Sequence, residues 1–242
     1  SNGTLLYSTY LGGDEHDSGY ALAGDGAGGV WVTGDTRSDN FPTLNAHQSI
    51  YGGGSSYGDR FVARFSQEGA LLSSTYLGGE KDDCDGYGGR EDDHRYTLAG
   101  DGDGGVWVTG CTKSTAFPIT DDAFQSTYGG GDYYDAFVSH FSSEGALLLS
   151  TYLGGEDTDY GKALAGDDAG GVWVAGYTGS NDFPVLRAYQ STYSGGSSDA
   201  FVAKFGIVEL PTADFAANVT SGPVPLVVQF TDLSTGDPTT WL

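Results

Sequence analysis

The amino-acid sequence predicts an all-β protein, an array of one repeated module built from four antiparallel strands. Three observations carry this. The segment LLYSTYLGG at residues 5–13 returns as LLSSTYLGG at 71–79 and LLLSTYLGG at 147–155, each followed by a matching series of short segments. A period this long outranks any local motif. Glycine supplies 41 of 242 residues and aromatic side chains 13%, while only 18% are charged, which suits many short strands and tight turns rather than helical bundles or a disordered chain.

In the first copy the elements follow in order. Residues 19–24 (GYALAG) form a first strand, and DGAGG after it has the Gly and Asp that a hairpin turn with positive φ requires. Residues 29–36 form the second strand. A longer link with an FP step and HQSIYGGG leads to the third, residues 60–65 (RFVARF), and the fourth covers residues 70–77 (ALLSSTYL). Each run is rich in β-branched or aromatic residues and bounded by Gly, Asp or Ser. Four antiparallel strands per unit make a propeller blade. Blades are expected at about 19–77, 95–153 and 161–206, with residues 4–11 left as a spare outer strand.

The copies run over 5–70, 71–146 and 147–206, so the spacing is 66 and then 76 residues. The extra length is the acidic stretch EKDDCDGYGGREDDHR between Gly79 and Tyr96. Insertions in repeat arrays map to surface loops, often on the functional face. The formal charge of -23 comes from 33 acidic against 10 basic residues. It repels a nucleic-acid backbone and an anionic membrane, and neither is an expected partner. No apolar run is long enough to span a bilayer, and the start SNGTLLYS lacks the basic end and apolar stretch of a signal peptide. With no Met at any position, the chain reads as a processed product or an excised piece of a longer polypeptide.

The series STYLGG, D.GYALAGDGAGGVWVTGDT, FPT, AHQS.YGGG and D.FVARFS.EGALL resembles the beta-propeller repeat of the SBBP type, found in secreted and surface proteins of bacteria and archaea. The resemblance extends over all three copies, roughly residues 1–206. It implies an extracellular propeller with no shared catalytic residue, and the acidic insertion departs from its pattern. After Phe205 the expected outer strand is replaced by a segment that resembles the opening of a PKD-type immunoglobulin-like domain, with Pro211, Ala213, Phe215, Gly222, Pro225, Val228, Phe230, Asp232, Ser234 and Trp241 on its pattern. A sandwich needs about seven strands and at most three fit in residues 207–242. Either the native protein continues beyond Leu242, or these strands pair with something else. The expected fold is thus three antiparallel blades of a partial or oligomer-completed β-propeller, plus a partial immunoglobulin-like β segment.

Candidate chemistry is sparse. Gly54-Ser55-Ser56-Tyr57-Gly58 fits the G-x-S-x-G pattern of serine hydrolases, but no helix follows Ser56 to build the required elbow. His16, His47, His94 and His140 occupy different repeat positions without ligand spacing. Calcium takes six to eight oxygen ligands, and Glu80, Asp82, Asp83, Asp85, Glu91, Asp92 and Asp93 gather in the insertion. That loop is read either as a calcium site, on Asp82, Asp83, Asp85, Asp92 and Asp93, or as a solubilising acidic loop. Asp101-Gly102-Asp103 lacks the third acid and distant Glu of an EF-hand loop and is read as a hairpin turn.

Acids at matching places in every copy are expected to cap turns and strand ends: Asp17, Asp93 and Asp159; Asp25, Asp101 and Asp167; Asp59, Asp135 and Asp199. Trp31, Trp107 and Trp173 are expected between blades rather than on sugar. Cys84 and Cys111 both belong to the second copy, and a disulfide between them would tether its insertion in an oxidising exterior. Asn2-Gly3-Thr4 and Asn218-Val219-Thr220 are glycosylation sequons.

The leading expectation is a non-enzymatic structural or adhesive protein of a cell surface or extracellular fibre. The alternative is a secreted module that binds glycan or protein, appended to an enzyme. Three blades cannot close a propeller, which has typically four to eight. Leu5, Leu6, Tyr7, Ser8, Thr9, Tyr10 and Leu11 match the outer strand of a blade, while the last blade lacks that strand. Strand addition between copies would fill the vacancy and give a homo-oligomeric ring or fibre. Missing blades of a longer parent chain would fill it in cis.

Overall fold

The computed structural model describes residues 3–54, 58–83, 97–167, 169–206, 214–218, 221–222, 225 and 227–233. Residues 1–206 form one compact unit and residues 207–242 a second. In the first unit, strands β1 (Asp17–Gly24), β2 (Val30–Thr36), β3 (Asp59–Phe65) and β4 (Leu71–Leu77) make one antiparallel sheet in chain order. Strands β5 (Thr97–Gly100), β6 (Val106–Thr112), β7 (Asp135–Phe141) and β8 (Leu147–Leu153) make a second sheet of the same order. The third, β9 (Asp159–Gly166), β10 (Val172–Thr178) and β11 (Asp199–Phe205), has three strands. In the second unit β12 (Phe215–Ala217) pairs antiparallel with β13 (Phe230–Asp232). The described residues contain strands and turns but no helix.

Side chains alternate between the faces of a strand, and the second blade, lying between the first and the third, buries apolar side chains on both of its faces. Trp31, Val62 and Leu77 of the first blade pack against Val106, Val108 and Phe141 of the second. Trp107, Val138 and Leu153 pack in the same way against Val172 and Val174 of the third. Burying each large apolar side chain contributes on the order of 2 kcal/mol, so the seams between blades, rather than any central core, hold the array.

The hairpins are closed by aspartates. Asp25 accepts the N–H groups of Ala27 and Gly29 at 2.9 and 2.8 Å. Asp101 does the same for Asp103 and Gly105, and Asp167 for Ala169 and Gly171. Gly28 and Gly104 sit at φ of 93° and 92° in these turns, a region that favours glycine. The Asp101-Gly102-Asp103 segment is thus a turn. The second carboxylate oxygen of each aspartate holds a third-strand side chain: Arg64 at 2.8 Å, His140 at 2.8 Å and Lys204 at 2.7 Å. That side chain lies over the tryptophan of the same blade, with His140 stacked 4.1 Å from Trp107.

Candidate functional site

The seams show what a completed blade contact looks like. The Trp31 indole N–H donates to the Gly104 carbonyl of the next blade at 3.0 Å, and Trp107 to Gly170 at 3.1 Å. At the other end of the blade a carboxylate, half-buried in Asp17 and buried in Asp83 and Asp159, accepts the second glycine N–H of the LGG motif: Asp17 from Gly13 at 2.8 Å, Asp83 from Gly79 at 2.6 Å, and Asp159 from Gly155 at 2.8 Å. A serine hydroxyl, Ser38, Ser114 or Ser180, donates to the same oxygen.

This corrects one expectation. The residue that caps the LGG motif as Asp17 and Asp159 do is Asp83, four residues after the second glycine in every copy, while Asp93 lies outside the described residues. Asp83 also accepts from the Thr112 hydroxyl and is fully buried, so its oxygens serve the protein's own donors.

Asp59 and Asp135, at the starts of β3 and β7, accept N–H groups from Gly52 and Gly129 at 2.7 and 2.8 Å. They face the LGG caps across a glycine: a Cβ on Gly78 would lie 2.6 Å from both Asp59 Oδ1 and Asp83 Oδ2. Burial raises Asp59 to about 8, with the charge of Asp83 adding to the rise. Burial likewise lifts Asp83 to about 7, Asp135 to about 7 and Asp159 to about 6. Glu80 is the opposite: burial works against its charge, but hydrogen bonds from Thr115 and Ala116 hold it down at about 2.

Of the residues read as candidate sites, Asp82 is half-buried and its Oδ1 accepts the Gly58 N–H at 3.3 Å. Asp85, Glu91, Asp92, Asp93, Cys84, His94, Ser56 and Asn2 lie outside the described residues. Among the described residues no group of three or more His, Cys, Asp or Glu could hold a metal ion. Cys111 is buried beside Tyr134 and Tyr160. Asn218 is exposed, and its side-chain oxygen accepts the Gln229 N–H at 2.8 Å.

The two ends of the array differ from its seams. Trp31 and Trp107 are each 1% exposed, whereas Trp173 is 47% exposed and Val202, the counterpart of Val62 and Val138, is 69% exposed. The expectation that all three tryptophans are buried between blades therefore fails at Trp173, since no described blade lies beyond it. At the opposite end residues 5–11 run without strand pairing, with Leu5, Leu6 and Tyr10 exposed. They still occupy a defined place. The Tyr7 ring lies on Gly69 as Ser73 lies on Gly145, and Leu11 packs with Phe41, Phe61 and Tyr76 as Leu77 packs with Phe117, Phe137 and Tyr152. A cleft of about 420 Å³ remains between this segment and Val30, Val32 and Phe65 of the first blade.

Strands β9 and β10, with the outer strand before them, carry a sequence similar to a known repeat. Residues 150–184 match the SBBP beta-propeller repeat. The SBBP match begins inside β8, the outer strand of the second blade, and ends just after β10 of the third. The matched repeat is therefore offset from the blade and lends its first strand, β8, to the blade before it. No curated protein matches the chain. Sequence reasoning missed the Asp83 cap, although the spacing LGG-x-x-x-D, present in all three copies, was there to find it. The cleft had no signal of its own.

Proposed function

We propose that the protein is a non-enzymatic structural or adhesive repeat protein of the cell surface or extracellular space, working by head-to-tail self-association of its blade array. The observation that supports this is Trp173, an indole whose two counterparts are buried under a following blade. The recurring acids add to it, because they serve turns, caps and seams and leave no constellation of general acid, base and nucleophile among the described residues. Electron micrographs of the purified chain test the reading: rings or fibres are expected, and isolated single arrays at all concentrations would overturn it.

A second reading, a secreted module for glycan or protein, draws on the same exposed indole, since an aromatic face with a neighbouring cation also suits sugar rings. Binding on a glycan array that survives dilution to monomer favours it. The unit from residue 207 onward is read as the start of a PKD-type domain, with β12 and β13 as its first pair. Calcium bound in the acidic insertion would use Asp82, Asp85, Asp92 and Asp93 without Asp83, and a fall in melting temperature on adding chelator would support it.

A further inference from the structure

We propose that the seam between the second and third blades binds a divalent cation of the calcium type between Asp135, at the start of β7, and Asp159, at the start of β9. The site is internal to the array and separate from the acidic insertion.

The first seam holds the same pair of aspartates and satisfies them with its own groups. All four carboxylate oxygens accept hydrogen bonds there: Asp59 from Gln48, Gly52 and Gly53, and Asp83 from Gly79, Thr112 and Ser114. Against the burial that raises Asp83, the buried Arg60 supplies a charge that favours its ionised form.

The second seam is built differently. Ala136 takes the place of Arg60, pairing with Leu153 as Arg60 pairs with Leu77. Gln125 turns its amide to the Thr127 carbonyl, whereas Gln48 also reaches Asp59, and Thr178, the counterpart of Thr112, donates to the Ser180 carbonyl at 3.4 Å. Oδ2 of Asp135 accepts from Gly129, and Oδ2 of Asp159 from Gly155 and Ser180. Both residues are 0% exposed, yet Oδ1 of each is buried without a hydrogen-bond partner. A carboxylate oxygen buried in this way is strongly unfavourable unless a positive group meets it.

Asp135 Oδ1 is aimed at Asp159. A Cβ on Gly154 would lie 2.8 Å from Asp135 Oδ1 and 2.8 Å from Asp159 Oδ2, so the two carboxylates meet across that glycine. On the other side, a Cβ on Gly130 would lie 2.7 Å from Asp135 Oδ1, 2.9 Å from the Tyr128 hydroxyl and 3.1 Å from the Tyr133 carbonyl. The exposed Asp182 adds its negative charge to both aspartates. Two carboxylates with carbonyl, hydroxyl and water oxygens suit calcium, which takes about six to eight such ligands in a flexible geometry. The bound ion would tie β7 to β9 and make the strength of this seam follow the surrounding calcium. A proton shared by the two carboxylates is the other way to settle their charge, and the test separates the two.

The full-length chain, stripped with chelator, is melted with and without calcium chloride. Calcium at about a hundred times its dissociation constant should raise the melting temperature by about 5–10 °C. Asp135→Asn and Asp159→Asn, which keep the side-chain shape, should each abolish the rise. Asp59→Asn in the first seam, and Asp85→Asn with Asp92→Asn in the insertion, should leave it in place. Crystals of the unaltered chain grown with calcium should show an anomalous peak beside Asp135 Oδ1, a readout that stands even if an asparagine variant fails to fold. No rise with calcium, a rise that survives Asp135→Asn, or a rise abolished by the insertion variant would overturn the site. A direct carboxyl–carboxyl hydrogen bond in place of the peak would overturn it too and assign the seam to a proton.

Discussion

The indole N–H of Trp31 and the carbonyl of Gly104, 3.0 Å apart, are the polar stitch across the first seam. Gly104 belongs to the hairpin turn of the following blade, so a tryptophan is fully buried only where such a turn follows. Trp107→Ala should therefore cost about 3–5 kcal/mol in a denaturant melt. Trp173→Ala in monomeric protein should cost within about 0.5 kcal/mol, as at an ordinary surface position. Equal losses at low concentration would contradict the seam account.

Stability should fall as the solution is made alkaline. Asp59, Asp83, Asp135 and Asp159 are raised by burial to about 8, 7, 7 and 6, against about 3.9 in the unfolded chain. Between those values the folded state binds more protons, so its stability is fully present near the unfolded value and is lost as pH rises through about 6–8. Asp25 and Asp167, lowered chiefly by Arg64 and Lys204, act the other way and lose their contribution as pH falls below the ordinary carboxylate range. The melting temperature should peak at about pH 4–6 and decline toward pH 8, with each kcal/mol worth about 2–4 °C. A curve that is flat or rises from pH 5 to 8 refutes the buried-pair account.

Gly78→Ala tests the same pair by volume. A Cβ there would lie 2.5 Å from Asp59 Cγ and 2.6 Å from Asp83 Oδ2, and overpacking of this kind costs about 1–3 kcal/mol. Gly24→Ala, at the end of β1 with nothing within 4 Å, should change stability by less than about 0.5 kcal/mol. Chemical denaturation of both variants separates crowding at the seam from a general cost of replacing glycine.

The repeat register sharpens the disulfide expectation. Ser18 follows the cap Asp17 and pairs with Asp35, and Tyr160 follows Asp159 and pairs with Tyr177. Cys84 follows Asp83 in the sequence, and Cys111 holds the place of Asp35 and Tyr177. Mass spectrometry of an unreduced digest should show Cys84 and Cys111 joined. Two free thiols in exported material would refute the pairing.

Much of the fold was legible because Gly, Asp and β-branched residues recur in the strand and turn order of a blade. The predicted strands at 19–24, 29–36, 60–65 and 70–77 lie within two residues of β1 to β4. Counting back from Leu98 made Asp93 look like the counterpart of Asp17, whereas the hydrogen bond from Gly79 assigns that role to Asp83. Distance from the next strand misleads when an insertion intervenes; distance from the glycine being capped does not. The exposure of Trp173 was equally hidden, since VWV reads the same in every copy and only a neighbouring blade decides what covers it.

Sedimentation velocity on the intact chain and on a chain lacking residues 1–11, over a wide concentration range, tests the central claim most directly. Self-association through the open ends predicts that the intact chain forms a larger species while the truncated chain stays monomeric with unchanged β-sheet circular dichroism. An intact chain that remains a monomer at the highest concentration, or a truncated chain that assembles just as well, would contradict it.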